Sequence, residues 1–237
     1  MDIENELHSN IDNKDIKKEV KKNIVLLLMG KLVSVLGSQI YSFAISLYIL
    51  SITGSGFSFA LALALSTLPE VLFGPISGVI ADRFDRKKMV VIIDVLSGLV
   101  VLGLLVLSLV DQLKISYIYI TTFLLSTCSV FFKTPLMASL PNIVDDKNLT
   151  RINSLTQTIE SISSIAGPFI GGIVYAIIDI KTFLFINGIS FIISGISEIF
   201  IDFELNNDIE IIDKDDDKIE KKSFFIDFKE GIKYISN

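Results

Sequence analysis

The chain has 237 residues, of which 51% are hydrophobic and 20% charged, with a mean hydropathy of +0.62 and a formal net charge of -6. That apolar content exceeds what a soluble domain of this length needs for its core, so water is not its main solvent. Of the 27 acidic residues, six precede Lys21 and eleven follow Ile201, so the negative charge belongs to the tails and marks no basic-ligand site; no nucleic-acid partner is expected.

Residues 1–23 read as a polar tail carrying Asp2, Glu4, Glu6, Lys14, Lys17, Lys18, Lys21 and Lys22. Six apolar blocks follow, at 24–52, 57–81, 89–110, 115–140, 155–178 and 183–201, each about 19 to 29 residues long. A helix rising ~1.5 Å per residue needs roughly 20 residues to cross ~30 Å of hydrocarbon, so every block is long enough to span a bilayer. None alternates apolar and polar residues as a barrel strand would, and lipid leaves only helices to satisfy the backbone amides. The expected fold class is therefore an all-α integral membrane protein, a six-helix bundle occupying residues 24–201. The first block is too long for a signal-peptide core and no small-residue cleavage site closes it, so it reads as a span.

The links at 53–56, 111–114 and 179–181 are short, which predicts that spans 1 and 2, 3 and 4, and 5 and 6 are antiparallel neighbours. Lys and Arg are distributed unevenly between the two sides. Five lie in the first tail, four in residues 82–88, two in residues 141–153 and six after Ile201, against Lys114 and Lys181 alone on the other side. This asymmetry predicts that both termini are cytoplasmic and that the protein is a multi-pass protein of the cell membrane. Residues 202–222 are dominated by Asp, Glu, Lys and Asn and read as a solvated cytoplasmic linker. In residues 223–237, Phe224, Phe225, Phe228, Ile232 and Ile235 recur at helical spacing opposite Asp227, Lys229, Glu230 and Lys233, which predicts an amphipathic helix at the membrane surface.

Polar side chains inside the spans are candidates for function, because a charge in hydrocarbon is costly and normally faces a bundle interior. Glu70 lies near the middle of span 2 and reads as a site for a cationic substrate or a proton, or as a neutral interhelical hydrogen-bonding group. Gln39, at similar depth in span 1, either lines a cavity or bonds a neighbouring helix. Lys133 and Glu160 share a depth in spans 4 and 5 and are a candidate ion pair. Lys31 and Asp94 share another, although pairing depends on helix placement, and lysines this near the interface also snorkel. Glu198, close to the end of span 6, is expected to be solvated. The single cysteine, Cys128, has no metal-ligand spacing around it and reads as packing, and the single histidine, His8, lies in the polar tail. No metal or cofactor is expected.

Two local patterns are more specific. Gly78-Val79-Ile80-Ala81-Asp82-Arg83-Phe84-Asp85-Arg86-Lys87-Lys88, between spans 2 and 3, joins a glycine that would let helices approach, an aspartate one turn later and a compact cationic turn. In span 5, Ser163, Gly167 and Gly171 fall four apart, a small-residue stripe for close packing, and Pro168 within Gly167-Pro168-Phe169-Ile170-Gly171-Gly172 removes one backbone bond and permits a bend.

The first pattern resembles the loop motif G-x-x-x-D-R-x-x-R-K of the major facilitator superfamily, with Asp85 where many members have glycine. The second resembles the span-5 motif of that superfamily's antiporters, with Ser163 where glycine is usual. Phe132-Lys133-Thr134-Pro135, Ser139-Leu140-Pro141-Asn142-Ile143-Val144, Leu149-Thr150-Arg151-Ile152-Asn153-Ser154, Leu68-Pro69 and the FKEGIKYI of residues 228–235 are similar to the branch containing macrolide efflux proteins and siderophore exporters. The resemblance implies the first half of a twelve-span transporter, with Gly78, Asp82, Arg83, Arg86 and Lys87 as a conformational latch. It implies that Gly167, Pro168, Gly171 and Gly172 form a hinge and seal between halves. It also implies proton-coupled efflux of a small amphipathic drug-like or siderophore-like molecule, and a partner that is the C-terminal half or a second copy. A truncated or non-transporting six-helix module acting through assembly is the competing expectation. A membrane enzyme is third, since no Ser/His, metal-ligand or phosphate-cradling constellation is present.

Overall fold

The computed structural model describes residues 2–110, 113–144 and 146–203, and for residues 2–19, 146 and 147 only the backbone. The linker from residue 204 and the amphipathic helix expected at 223–237 lie outside the described residues. Within them all regular structure is helical: α1 (Asp2–Thr53), α2 (Gly56–Ala81), α3 (Arg86–Val110), α4 (Ile115–Ile143), α5 (Asp146–Ile177) and α6 (Ile180–Glu198). All six contain a stretch long and apolar enough to cross a membrane, so the expected all-α, six-span class holds.

Several helices overrun their apolar blocks, because intrahelical amide bonds do not stop where lipid does. The residues read as a first tail continue α1 back to Asp2, and α5 begins at Asp146, ahead of the apolar block that starts at Leu155. The turns are set by local chemistry. Gly54 adopts φ +64, a left-handed conformation that ends α1, and Ser55 then caps α2 by accepting from the Ser58 amide at 3.3 Å. Asp179 caps α6 through the amides of Lys181 and Thr182 at 3.0 and 3.4 Å.

Helix pairing follows the small residues more than chain order. α2 and α4, α3 and α4, and α1 and α2 pack together, but α5 lies mainly against α1 and α6 mainly against α3. The expected neighbourhood of spans 5 and 6 is therefore corrected: they share a short link yet seat on different partners. The reason is steric. A Cβ on Gly167 would overlap the Cβ of Gln39, and one on Gly171 would come within 3.0 Å of the Ile40 carbonyl, so only these glycines let α5 approach α1 so closely. On α6, a Cβ on Gly188 would meet Leu102 Cγ at 2.7 Å and one on Gly195 would meet Val95 Cγ2 at 2.9 Å, while Gly98 of α3 reciprocates against Gly188 O at 2.7 Å.

Apolar packing forms two clusters separated along the helices. One, built on Tyr41, Ile45, Ile49, Val101, Leu104, Ile118, Leu125, Phe183 and Leu184, lies toward the short links. The other, built on Leu27, Val90, Phe132, Leu136, Leu140, Ile143, Ile152 and Ile201, lies toward the opposite end. In sequence position along each helix, the buried polar residues Lys31, Ser34, Asp94, Ser97 and Ser194 fall between the two. Large apolar residues such as Val71, Val110, Ile165, Phe169 and Ile177 face outward, as a lipid-facing surface requires.

Candidate functional site

α1, α2, α4 and α5 surround a cavity of about 590 Å³, open on one side, whose walls include Gln39, Tyr41, Thr67, Glu70, Lys133 and Glu160. Hydroxyl groups dominate the remaining polar lining, from Ser38, Ser42, Ser66, Thr122, Ser126, Ser129, Thr134, Ser161 and Ser164, contributed by four helices, with the Gln157 carboxamide beside them. Ser66 and Ser126 join α2 to α4 through a hydrogen bond from the Ser126 hydroxyl to the Ser66 carbonyl. Two hydroxyls in this wall, Tyr41 Oη and Thr122 Oγ1, are buried and lie close to one another.

Four charged side chains form a continuous chain that runs from the cavity wall, lined by Glu70, Lys133 and Glu160, to the buried Lys31 behind it. Glu70 Oε1 lies 3.3 Å from Lys133 Nζ, which lies 3.2 Å from Glu160 Oε2, and Glu160 Oε1 lies 2.7 Å from Lys31 Nζ. Exposure falls along this chain, from 65% at Glu70 through 41% at Lys133 and 16% at Glu160 to 1% at Lys31. Alternating signs cancel, so the array is neutral and each buried charge has its counter-ion, the arrangement that makes charges tolerable in a low-dielectric interior. Lys31 does not snorkel, and it does not pair with Asp94. Its stem is enclosed, its ammonium also donates to Met137 Sδ at 3.3 Å, and the approach of α5 to α1 supplies Glu160 as the partner.

Glu198 corrects a second expectation. Although it ends α6, it is 1% exposed, because its side chain packs against Gly30 of α1. Asn23 brackets that end, donating to the Asp202 carbonyl at 3.0 Å and accepting from its amide at 3.3 Å. A signal for this was present in span 6: Asn187, Phe191, Ser194 and Glu198 recur at helical spacing and share one buried face.

At the junction of α2 and α3, Arg86 holds three elements together. Its guanidinium donates to the Ala138 carbonyl of α4 at 2.6 Å and to the Ala81 carbonyl at 3.4 Å, and meets Asp82 Oδ1 at 3.5 Å. Asp82 itself is 73% exposed. Asp85 acts as the N-cap of α3, accepting from the Lys88 amide at 3.1 Å, with the Lys88 ammonium 3.2 Å away. That backbone hydrogen bond, helped by the ammonium, holds the Asp85 carboxyl below the usual carboxylate range. Gly78 has nothing within 4 Å of where a Cβ would stand, so no described helix of this chain uses the close approach it permits. In span 5, Gly167 and Gly171 are engaged inside the bundle against α1, while Gly172 is less crowded, with Phe43 Cε1 3.8 Å from where its Cβ would lie. Among the described residues no group of three or more His, Cys, Asp or Glu side chains is placed to hold a metal ion.

A sequence model of the Major Facilitator Superfamily matches residues 27–212 of this chain, most of its length. The chain belongs to that superfamily. Among its relatives in the superfamily, macrolide efflux protein A of Streptococcus pyogenes is 29% identical over 168 residues, covering 71% of this chain and 42% of the relative. The uncharacterized MFS-type transporter YfiS of Bacillus subtilis (strain 168) is 25% identical over 216 residues, 91% of this chain and 49% of the relative. Enterobactin exporter EntS of Salmonella choleraesuis (strain SC-B67) is 27% identical over 152 residues, 62% and 36% of the two chains. The chain thus spans about half the length of these superfamily members or less.

Proposed function

We propose that this chain forms one half of a secondary transporter that exports amphipathic small organic molecules, coupled to proton entry, with both termini cytoplasmic. The observation that carries this reading is the neutral charge array from Glu70 to Lys31, three of whose members line an open cavity of about 590 Å³. A cavity of that size suits a drug-sized ligand, and a few charged groups among hydroxyls and apolar side chains provide orientation without tight capture. Glu70, the outermost and most exposed member, is where a cationic substrate or a proton would compete with Lys133. The names of the relatives, which refer to macrolide efflux and enterobactin export, support export of small organic molecules.

The remaining half, or a second copy, would close the open side of the cavity. Two features support a partner at the α2–α3 junction: the unfilled space beside Gly78 and the exposed carboxylate of Asp82, the latch of the resembling motif. The test is accumulation of a panel of cationic and neutral amphipathic dyes in cells with and without the complete transporter. Lower accumulation that is abolished by a protonophore supports the proposal. Identical accumulation across the panel rejects it.

A further inference from the structure

A second polar centre lies outside the cavity lining, at the seam of α1, α3 and α6. Ser34 of α1 donates to Asp94 Oδ2 of α3 at 2.6 Å, and its oxygen lies 3.1 Å from Ser194 Oγ of α6. Ser194 in turn reaches the Gly30 carbonyl at 3.2 Å, and Glu198 Oε1 sits 3.0 Å from where a Cβ on Gly30 would stand. Gly30 thereby opens the space that the Glu198 carboxyl fills. Asp94 and Glu198 are each 1% exposed, and no well-formed hydrogen bond reaches either Glu198 oxygen among the described residues, although the Ser194 hydroxyl lies close to the carboxyl.

The charges around this centre do not balance. No lysine or arginine among the described residues pairs with either carboxyl group. Lys31, the buried cation of α1, is committed to Glu160, and the other titratable side chain near Asp94 is the buried thiol of Cys128 on α4. Two uncompensated carboxylates this deeply buried would each carry a desolvation cost, besides repelling one another. Neutralisation removes that cost, and the contacts say where: Asp94 receives the Ser34 hydroxyl at 2.6 Å, whereas the Glu198 carboxyl has the Ser194 hydroxyl near it and the Asp94 carboxylate to repel it.

We propose that Asp94, Ser34, Ser194 and Glu198 form a proton-binding site, separate from the substrate cavity, with the proton resident on the Glu198 carboxyl. The two hydroxyls are bonded directly to their neighbours, and a proton is the ligand that neutralises a carboxyl in so closed a layer without needing a coordination sphere. Loss of this proton places a second negative charge beside Asp94 and favours hydration and opening of the seam between α1 and α6. α1 carries both centres, with Ser34 one turn from Lys31, so the seam and the cavity wall share a helix.

Infrared difference spectroscopy on the full chain in lipid tests this through the C=O stretch of a protonated carboxylic acid. The wild type is expected to show that band at neutral pH and to lose it on alkalinisation. Glu198→Gln should lose the band, and Ser194→Ala should shift it while leaving its amplitude intact. A wild-type spectrum without the band, a band unaffected by Glu198→Gln, or a band displaced by sodium or potassium would overturn the proposal. The wild-type measurement needs no variant to fold, and none of these readouts depends on transport, so failure here is distinguishable from failure of the export reading.

Discussion

Lys31 Nζ lies 2.7 Å from Glu160 Oε1, closing an ion pair between α1 and α5 at a point where the lysine side chain is 1% exposed. Removing one partner of a buried pair leaves an uncompensated charge, at a cost of about 3–5 kcal/mol. The two single deletions are unequal here. Lys31→Met leaves Glu160 its second partner, Lys133, whereas Glu160→Gln strands Lys31 with only Met137 beside it. Thermal unfolding in detergent should therefore show Glu160→Gln as the more damaging variant, and the Lys31→Met/Glu160→Gln double variant should recover most of the loss. Equal single effects with no recovery would contradict this account of the array.

Crowded and uncrowded glycines should respond in opposite ways to alanine. Gly167→Ala drives a Cβ into Gln39 and should destabilise by about 1–3 kcal/mol through overpacking. Gly172→Ala and Gly78→Ala meet no crowding in this chain and, by removing glycine from a helix, should be neutral or stabilising by up to about 1 kcal/mol. Melting temperatures of the three purified variants provide the comparison.

Asp82→Asn should abolish efflux by the complete transporter without lowering membrane insertion or melting temperature. Its contact with Arg86 is long, at 3.5 Å, and the carboxylate is largely exposed, so it contributes little to stability. Normal efflux by Asp82→Asn would remove the latch role.

Asp85 makes a pH-dependent contribution to the start of α3. Its lowered pKa means that the capping carboxylate is stabilising above the usual carboxylate range and loses that advantage as pH falls below roughly 4. Asp85→Ala should cost about 0.5–2 kcal/mol at neutral pH, the range for a lost N-cap, and the gap from wild type should narrow in acid. Denaturation midpoints at neutral and acidic pH check both statements, and a gap that widens in acid would contradict the cap.

Much of the candidate site was legible as depth. Counting along each helix places Glu70, Gln39, Lys133, Glu160, Lys31 and Asp94 inside the spans, since rise per residue is constant. Direction was less accessible. Lys31 and Asp94 share a depth, yet the ammonium turns to Glu160 and the carboxylate to Ser34, because neighbours around the helix axis, not position along it, choose the partner. Glu198 shows the same limit: closeness to a helix end suggested solvent, while the packing of α1 against α6 encloses it.

Six membrane-spanning helices follow from the chain alone, because span length and the need to satisfy amides within lipid depend only on local composition. Which helices touch does not follow. The link between α5 and α6 is short, but their glycines match different surfaces, on α1 and on α3, and close contact goes where a backbone can approach. Tertiary packing therefore decided that Glu70, Lys133 and Glu160 in a cavity wall join the buried Lys31 in one array. It also separated Asp94 and Glu198 into a buried centre of their own.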